Sequence, residues 1–121
     1  MSLKVNVEQK QAGVITISPI GSIDGKTYSV LEEKVDSILN EAPDVIIFDM
    51  EFLDYLNSMG VRVLLKTKKQ MQKQNGKVIF MKLQPQIKKV FDILNALPSM
   101  QVFASIEELD KYLDTMQKAS R

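Results

Sequence analysis

Phe52-Leu53-Asp54-Tyr55-Leu56-Asn57-Ser58-Met59-Gly60-Val61-Arg62-Val63-Leu64-Leu65 reads as a short polar loop that delivers a serine onto the first turn of an amphipathic helix. Just upstream, Asp44-Val45-Ile46-Ile47-Phe48-Asp49 is an apolar run bounded by Pro43 and by acids, the pattern of a buried strand in a parallel or mixed sheet. Strand, loop and helix start in that order indicate an α/β fold, with Ser58 at the edge where strands end and helices begin. Ligands and modifications gather there, because the first amides of a helix lack helical partners and carry positive dipole potential.

Toward the N-terminus, Leu3, Val5 and Val7 alternate with polar residues, and Val14 to Ile20 follows a turn at Ala12-Gly13, so the chain is expected to open with a β-hairpin. After Gly21-Ser22-Ile23-Asp24-Gly25 comes a helix that buries Leu31, Val35, Ile38 and Leu39 and stops at Asn40 to Pro43. The helix behind Ser58 turns Val61, Leu64, Leu65 and Met71 inward and Arg62, Lys66, Lys69 and Lys73 outward, and ends before Asn75-Gly76. Val78 to Leu83 is the next strand. Pro85 starts a third helix with Ile87, Val90, Phe91 and Leu94 inward and Pro98 beyond its end. A short last strand is expected at Met100 to Phe103. Ser105-Ile106-Glu107-Glu108 is a capping box for a fourth helix with Ile106, Leu109, Tyr112, Leu113 and Met116 on its apolar side, and the tail from Gln117 to Arg121 is expected to fray. The expectation is one domain over 1–121, a mixed sheet of four to five strands covered by about four helices.

Composition removes most catalytic chemistry. The chain has no cysteine and no histidine, so disulfides, thiolate nucleophiles, the commonest metal ligand and the usual near-neutral acid and base are all missing. The remaining carboxylates occur singly around the loops, and no nucleophile stands beside a base. The expectation is a non-enzyme without cofactor or metal. At net charge +1 over 121 residues, no whole-molecule field favours nucleic acid or an anionic membrane. The opening residues lack the continuous apolar stretch of a signal peptide, and no run reaches transmembrane length. A cytoplasmic domain with no direct nucleic-acid contact and no membrane insertion is expected.

Gly21-Ser22-Ile23-Asp24-Gly25, the strand at 44 to 49 and Tyr55-Leu56-Asn57-Ser58-Met59-Gly60-Val61-Arg62-Val63-Leu64-Leu65 together resemble a STAS domain, the fold of bacterial anti-sigma factor antagonists and of the cytoplasmic tails of sulfate transporters. The resemblance covers nearly the whole chain. It implies a partner switch. An unphosphorylated antagonist binds an anti-sigma factor that is also a serine kinase of ATP-binding fold, phosphorylation breaks that complex, and a serine phosphatase restores it. By position, Ser58 matches the phosphorylated serine, Gly60 the glycine of the same loop and Asp24 the acid of the neighbouring loop. Asn57 stands where an aspartate often precedes the serine, and Met59 where a second small hydroxyl residue is common.

The chemistry suits the position. A phosphate on Ser58 would add a charge of about −1.5 to −2, and it is expected to accept the helix's first amide hydrogens without disturbing the fold. Gly60 would admit a partner's backbone, Met59 would offer a flexible apolar contact, and Arg62, Lys66 and Lys69 would extend a basic stripe from the same surface. Asp24, Asn57, Ser58, Met59, Gly60, Arg62, Lys66 and Lys69 therefore form the expected contact set, with the Ser58 hydroxyl reachable from solvent. Plainer roles stand beside these: Ser58 as an N-cap, Asp24 as a turn residue, the lysines as a solvated face. Two other functions compete. One is a non-switching STAS adaptor or scaffold, for example of a lipid or anion transporter. The other is a receiver-like domain phosphorylated on Asp49, for which Val5-Asn6-Val7-Glu8 lacks the acidic pair that holds magnesium and Phe103-Ala104-Ser105 lacks the late lysine.

Overall fold

The sheet is organised on one long strand, β2 (Val14–Ile23), in a computed structural model that describes residues 2–96 and 106–120. β1 (Leu3–Gln11) pairs with it antiparallel, Leu3 opposite Gly21 and Gln11 opposite Val14, which is the expected opening hairpin. Two parallel strands share the other edge of β2. β3 (Val45–Asp49) lies along residues 14–17, and β4 (Leu53–Leu56) lies along the far end, with Ser22 opposite Tyr55 and Ile23 opposite Leu56. β5 (Lys77–Met81) is parallel to β3 on its outer side, giving the order β1-β2-β3-β5 with β4 beside β2. It stops short of the expected Leu83 because Lys82 turns the chain at a φ of 58°.

β4 corrects the loop expected over this stretch. Leu53, Tyr55 and Leu56 are all buried, so the segment lacks the two-residue alternation that marks a strand. Likewise Gly21 to Ile23 continues β2 instead of leaving it. Gly21 is required there: its φ is +113°, and a Cβ would run into the Ser2 carbonyl oxygen.

Pro19 sits inside this strand between neighbours on both sides, a position that normally excludes proline. The Ser22 amide points to β1, donating to the Ser2 carbonyl at 3.1 Å, while the Gly21 amide points to the opposite edge, donating to the Phe52 carbonyl at 3.0 Å. By alternation the Pro19 nitrogen faces that opposite edge. It falls in the gap where β3 pairing has ended at Ile17 and β4 pairing has not begun.

Four helices follow the expected order: α1 (Tyr28–Leu39), α2 (Ser58–Lys73), α3 (Pro85–Ala96) and α4 (Ile106–Ser120). The core joins Ile15, Ile17, Ile46 and Phe48 of the sheet to Leu31, Val35 and Ile38 of α1, Val61, Val63, Leu64 and Met71 of α2, Ile87 and Val90 of α3, and Leu113 of α4. Phe48 stacks on Phe80 with ring centroids 5.3 Å apart, and Phe80 meets Phe91 at 5.4 Å.

Two helix faces differ from expectation. Leu65 is 48% exposed and Thr67 takes an inward place, its hydroxyl satisfied by the Val63 carbonyl at 2.8 Å. On α4, Tyr112 is 46% exposed while Gln117, expected to fray, is 0% exposed. Leu113, fully buried, and Met116, packed against the core, keep to the expected side, and polar contacts described below extend the buried face to Gln117. The expected strand at Met100 to Phe103, Pro98 and the capping serine Ser105 lie outside the described residues, as do the side chains of Leu94, Ile106, Glu107 and Leu109.

Candidate functional site

β2 and β4 are parallel neighbours that end together, and the Asn57 amide donates to the Ile23 carbonyl at 3.0 Å just past the last pair. The residues that follow, Asp24 on one side and Asn57-Ser58 on the other, are thereby set side by side at one edge of the sheet. Ser22 Oγ ties the strands together by donating to Asp54 Oδ1 at 2.9 Å.

Asp24 is held by its own loop. Its Oδ1 accepts from the Lys26 amide at 2.9 Å and from the Thr27 amide at 3.1 Å. In return Thr27 Oγ1 accepts from the Asp24 amide at 2.9 Å and donates to the Ser22 carbonyl at 2.8 Å. This is an Asx turn that launches α1.

The start of α2 is capped by Asn57, whose Oδ1 accepts from the Gly60 amide at 3.0 Å, so the cap role weighed for Ser58 belongs to its neighbour. Ser58 is the first helical residue. Its amide donates to Asp110 Oδ1 of α4 at 2.9 Å, and its hydroxyl is sealed from solvent with no hydrogen-bond partner. Two expectations are corrected here. The hydroxyl is not reachable from solvent, because α4 lies across it. Nor are the first amides of α2 all open to a phosphate, because Asp110 and Asn57 already hold two of them.

Gly60 is also reassigned. It is buried, and a Cβ would stand 2.5 Å from Leu56 Cδ1 and 2.6 Å from Ile23 Cγ2, so its missing side chain lets α2 close on the ends of β2 and β4 and does not admit a partner.

What covers the site is one face of α4 built from Asp110, Leu113, Asp114 and Gln117, at the i, i+3, i+4, i+7 spacing of a single helix side. Gln117 reaches β4 with both ends of its amide: Oε1 accepts from the Leu56 amide at 2.8 Å, and Nε2 donates to the Leu56 carbonyl at 2.7 Å. The side chain thus stands in for a neighbouring strand on the edge of β4 that faces away from β2. Asp114 lies near the Tyr55 hydroxyl and pairs with Lys118 at 3.0 Å. Burial, then the nearby Asp114 carboxylate, then the charges of Asp110 and Asp24, push the Tyr55 phenol up to about 12. Leu113 is fully buried at the centre of this face.

Sequence reasoning missed Asp110, Asp114, Gln117 and Tyr55 in this role. Polar residues at helical spacing are the ordinary sign of a solvated face, and only the fold brings them to the serine. The basic residues are less concentrated than expected. Arg62, Lys66 and Lys69 are exposed, but Lys66 leans to Glu32 of α1 at 3.8 Å, and Lys69 lies eleven residues along α2 from Ser58, about 16 Å away at helical rise. Met59 is half-buried beside the serine. Asp49, the acceptor in the receiver-like alternative, closes a turn by accepting from the Glu51 amide at 3.1 Å, and no group of three or more acids among the described residues could hold a metal ion. No helix among the described residues is long and apolar enough to cross a membrane.

The sequence model of the STAS domain matches residues 5–109. The anti-sigma-B factor antagonist of Bacillus subtilis is 27% identical over 107 residues, 88% of this chain and 96% of the relative. Among solved structures, an anti-sigma factor antagonist from Mycobacterium paratuberculosis matches with a TM-score of 0.68 at 22% identity, over 99% of this chain and 95% of that one. The Bacillus cell fate determinant SpoIIAA in its phosphorylated form matches with a TM-score of 0.65 at 23% identity, over 90% and 99%. At these identities the two structures speak for the fold.

Proposed function

The chain belongs to the STAS domain family, and from that premise we propose that it is a cytoplasmic anti-sigma factor antagonist that works by partner switching on Ser58. The observation that carries this reading is the position of Ser58, first residue of a helix and neighbour of the Asp24 loop, in a chain whose curated relative is named an anti-sigma-B factor antagonist. Unmodified, the surface around Asp24, Asn57, Ser58, Met59 and Arg62 binds an anti-sigma factor that is also a serine kinase. That kinase transfers the terminal phosphoryl group of ATP to Ser58 Oγ: the new O–P bond replaces the bond to the ADP oxygen, and the hydroxyl proton leaves to a kinase base. A serine phosphatase reverses the change by hydrolysis.

A charge of about −1.5 to −2 in an interface without a paired cation costs on the order of 2 to 5 kcal/mol, roughly thirty-fold to several thousand-fold in affinity. That is enough to reverse a partner choice. The test is incubation with ATP and the partner kinase, phosphate being located by mass spectrometry, alongside affinities of two variants. Ser58→Ala is expected to bind and never be released, and Ser58→Asp to bind weakly; equal affinities would defeat charge control.

The sealed hydroxyl favours a second reading, a non-switching adaptor or scaffold of a lipid or anion transporter that uses the same surface with an unmodified serine. Tight binding to a transporter subunit, with no phosphate on Ser58, would establish it.

A further inference from the structure

Helix α4 occupies the surface that the switch requires. It does so through two contacts of unlike chemistry on adjacent parts of the chain: the Asp110 carboxylate on the Ser58 amide, and the Gln117 amide on both backbone groups of Leu56. Between those two residues, the Asn57 amide bonds to β2 and owes nothing to α4.

We propose that α4 is a built-in competitor with the kinase for the unmodified Ser58 surface, closed by Asp110 and Gln117 while Ser58 is uncharged and released when Ser58 carries negative charge, a state in which the charge itself keeps the partner off. It rests on the switch reading only in so far as the charge is a phosphate placed by a kinase.

Three features support release. The Ser58 hydroxyl is buried without a hydrogen bond, so the closed state carries an unsatisfied polar group and is easier to open than a fully bonded interface. A second anion at Ser58 would stand against Asp110, with Asp114 one turn farther along the same face, and like charges in a partly buried site repel strongly. The polar contacts are also exchangeable for water: once α4 leaves, the Leu56 amide and carbonyl and the Ser58 amide stand on an edge that solvent can satisfy. Charge on the serine and closure of the helix then oppose each other, and by linkage α4 in its closed position equally opposes modification.

Each contact has its own reporter in amide hydrogen exchange of the intact chain. In Ser58→Asp, the Leu56 and Ser58 amides are expected to exchange at least about tenfold faster than in the parent, with the Asn57 amide unchanged. Ser58→Ala, which adds no charge, is expected to leave all three slow. Adding Asp110→Asn to Ser58→Asp removes the repelling charge while keeping an acceptor, and is expected to restore part of the protection. The proposal is overturned if Leu56, Asn57 and Ser58 respond together in every variant, or if Ser58→Asp and Ser58→Ala behave alike. In a second arm, Asp110→Ala and Gln117→Ala are each presented with the partner kinase and ATP, and faster labelling of Ser58 than in the parent is expected. Equal labelling rates would overturn the gating. Absence of phosphate on Ser58 in every protein, with the amides responding as expected, supports the competitor and counts against the kinase switch alone.

Discussion

The helix starts of α1 and α2 lie side by side at one edge of the sheet, yet one is held from within and the other from a distance. The turn that launches α1 closes among Ser22, Asp24, Lys26 and Thr27, with bonded residues no more than five positions apart. The start of α2 has one local cap from Asn57, but its Ser58 amide is held by a residue 52 positions away, and the strand leading to it is completed by one 61 positions away. A local cap forms with the helix and persists as long as the helix does. A distant one can be exchanged for another partner without unfolding what it caps, which makes the second start the one suited to regulation.

The strongest way to break this contrast is to loosen α4 at its anchor. Leu113→Ala is expected to cost about 2 to 5 kcal/mol in denaturant unfolding, and to free the Ser58 and Leu56 amides to exchange while those of Asp24 and Thr27 stay protected. Equal loosening of both helix starts would show that they form one unit.

High pH probes the same contact more gently. The Tyr55 phenol is pushed up to about 12 from its ordinary 10.0, chiefly by burial and then by Asp114. An unfolded chain therefore gives up this proton first, and the stabilisation is complete below pH 10, declines as pH rises, and is gone above about 12. Allowing for solvent screening, about 1 to 2 kcal/mol is at stake. Stability measured across that window is expected to fall more steeply for the parent than for Tyr55→Phe, and the lost protection is expected at Leu56 and Ser58, not at Thr27.

A smaller effect sharpens the local side of the contrast. Asn57→Ala removes the near cap of α2 and is expected to cost about 1 kcal/mol, within a range of roughly 0.5 to 2, measured by thermal or urea unfolding. The Asx turn of α1 should be untouched.

The strand at 44 to 49 was legible as a continuous apolar run, and the inward faces of α1 and of the described part of α3 because their buried residues follow the helical period. The hairpin was legible from Ala12-Gly13 and the alternation on either side. β4 was hidden for the opposite reason: adjacent Tyr55 and Leu56 are both buried, one near Asp114 and the other bonded by Gln117 of α4. A strand packed on adjacent residues by different elements shows no simple period. Tyr112 and Leu65 misled in the same way, since hydrophobicity marks a helix face fully only when apolar packing alone sets its rotation, and Gln117 and Asp110 share with Leu113 in setting that of α4. Of the site, the helix start at Ser58 could be read from the chain, and its closeness to Asp24 followed from the family resemblance. The cover over Ser58 could not, since nothing near residue 58 encodes what a distant helix will do.

Pro19 carries a consequence for how the domain breathes. Lacking an amide hydrogen at the seam, it separates two hydrogen-bonded ladders on that edge of β2 by a residue that can donate to neither. Rupture of the β4 ladder therefore meets no amide hydrogen bond from residue 19 on its way to the β3 ladder. The domain holds two zippers on one shared tape, and opening of the one beside Ser58 need not run on into the other.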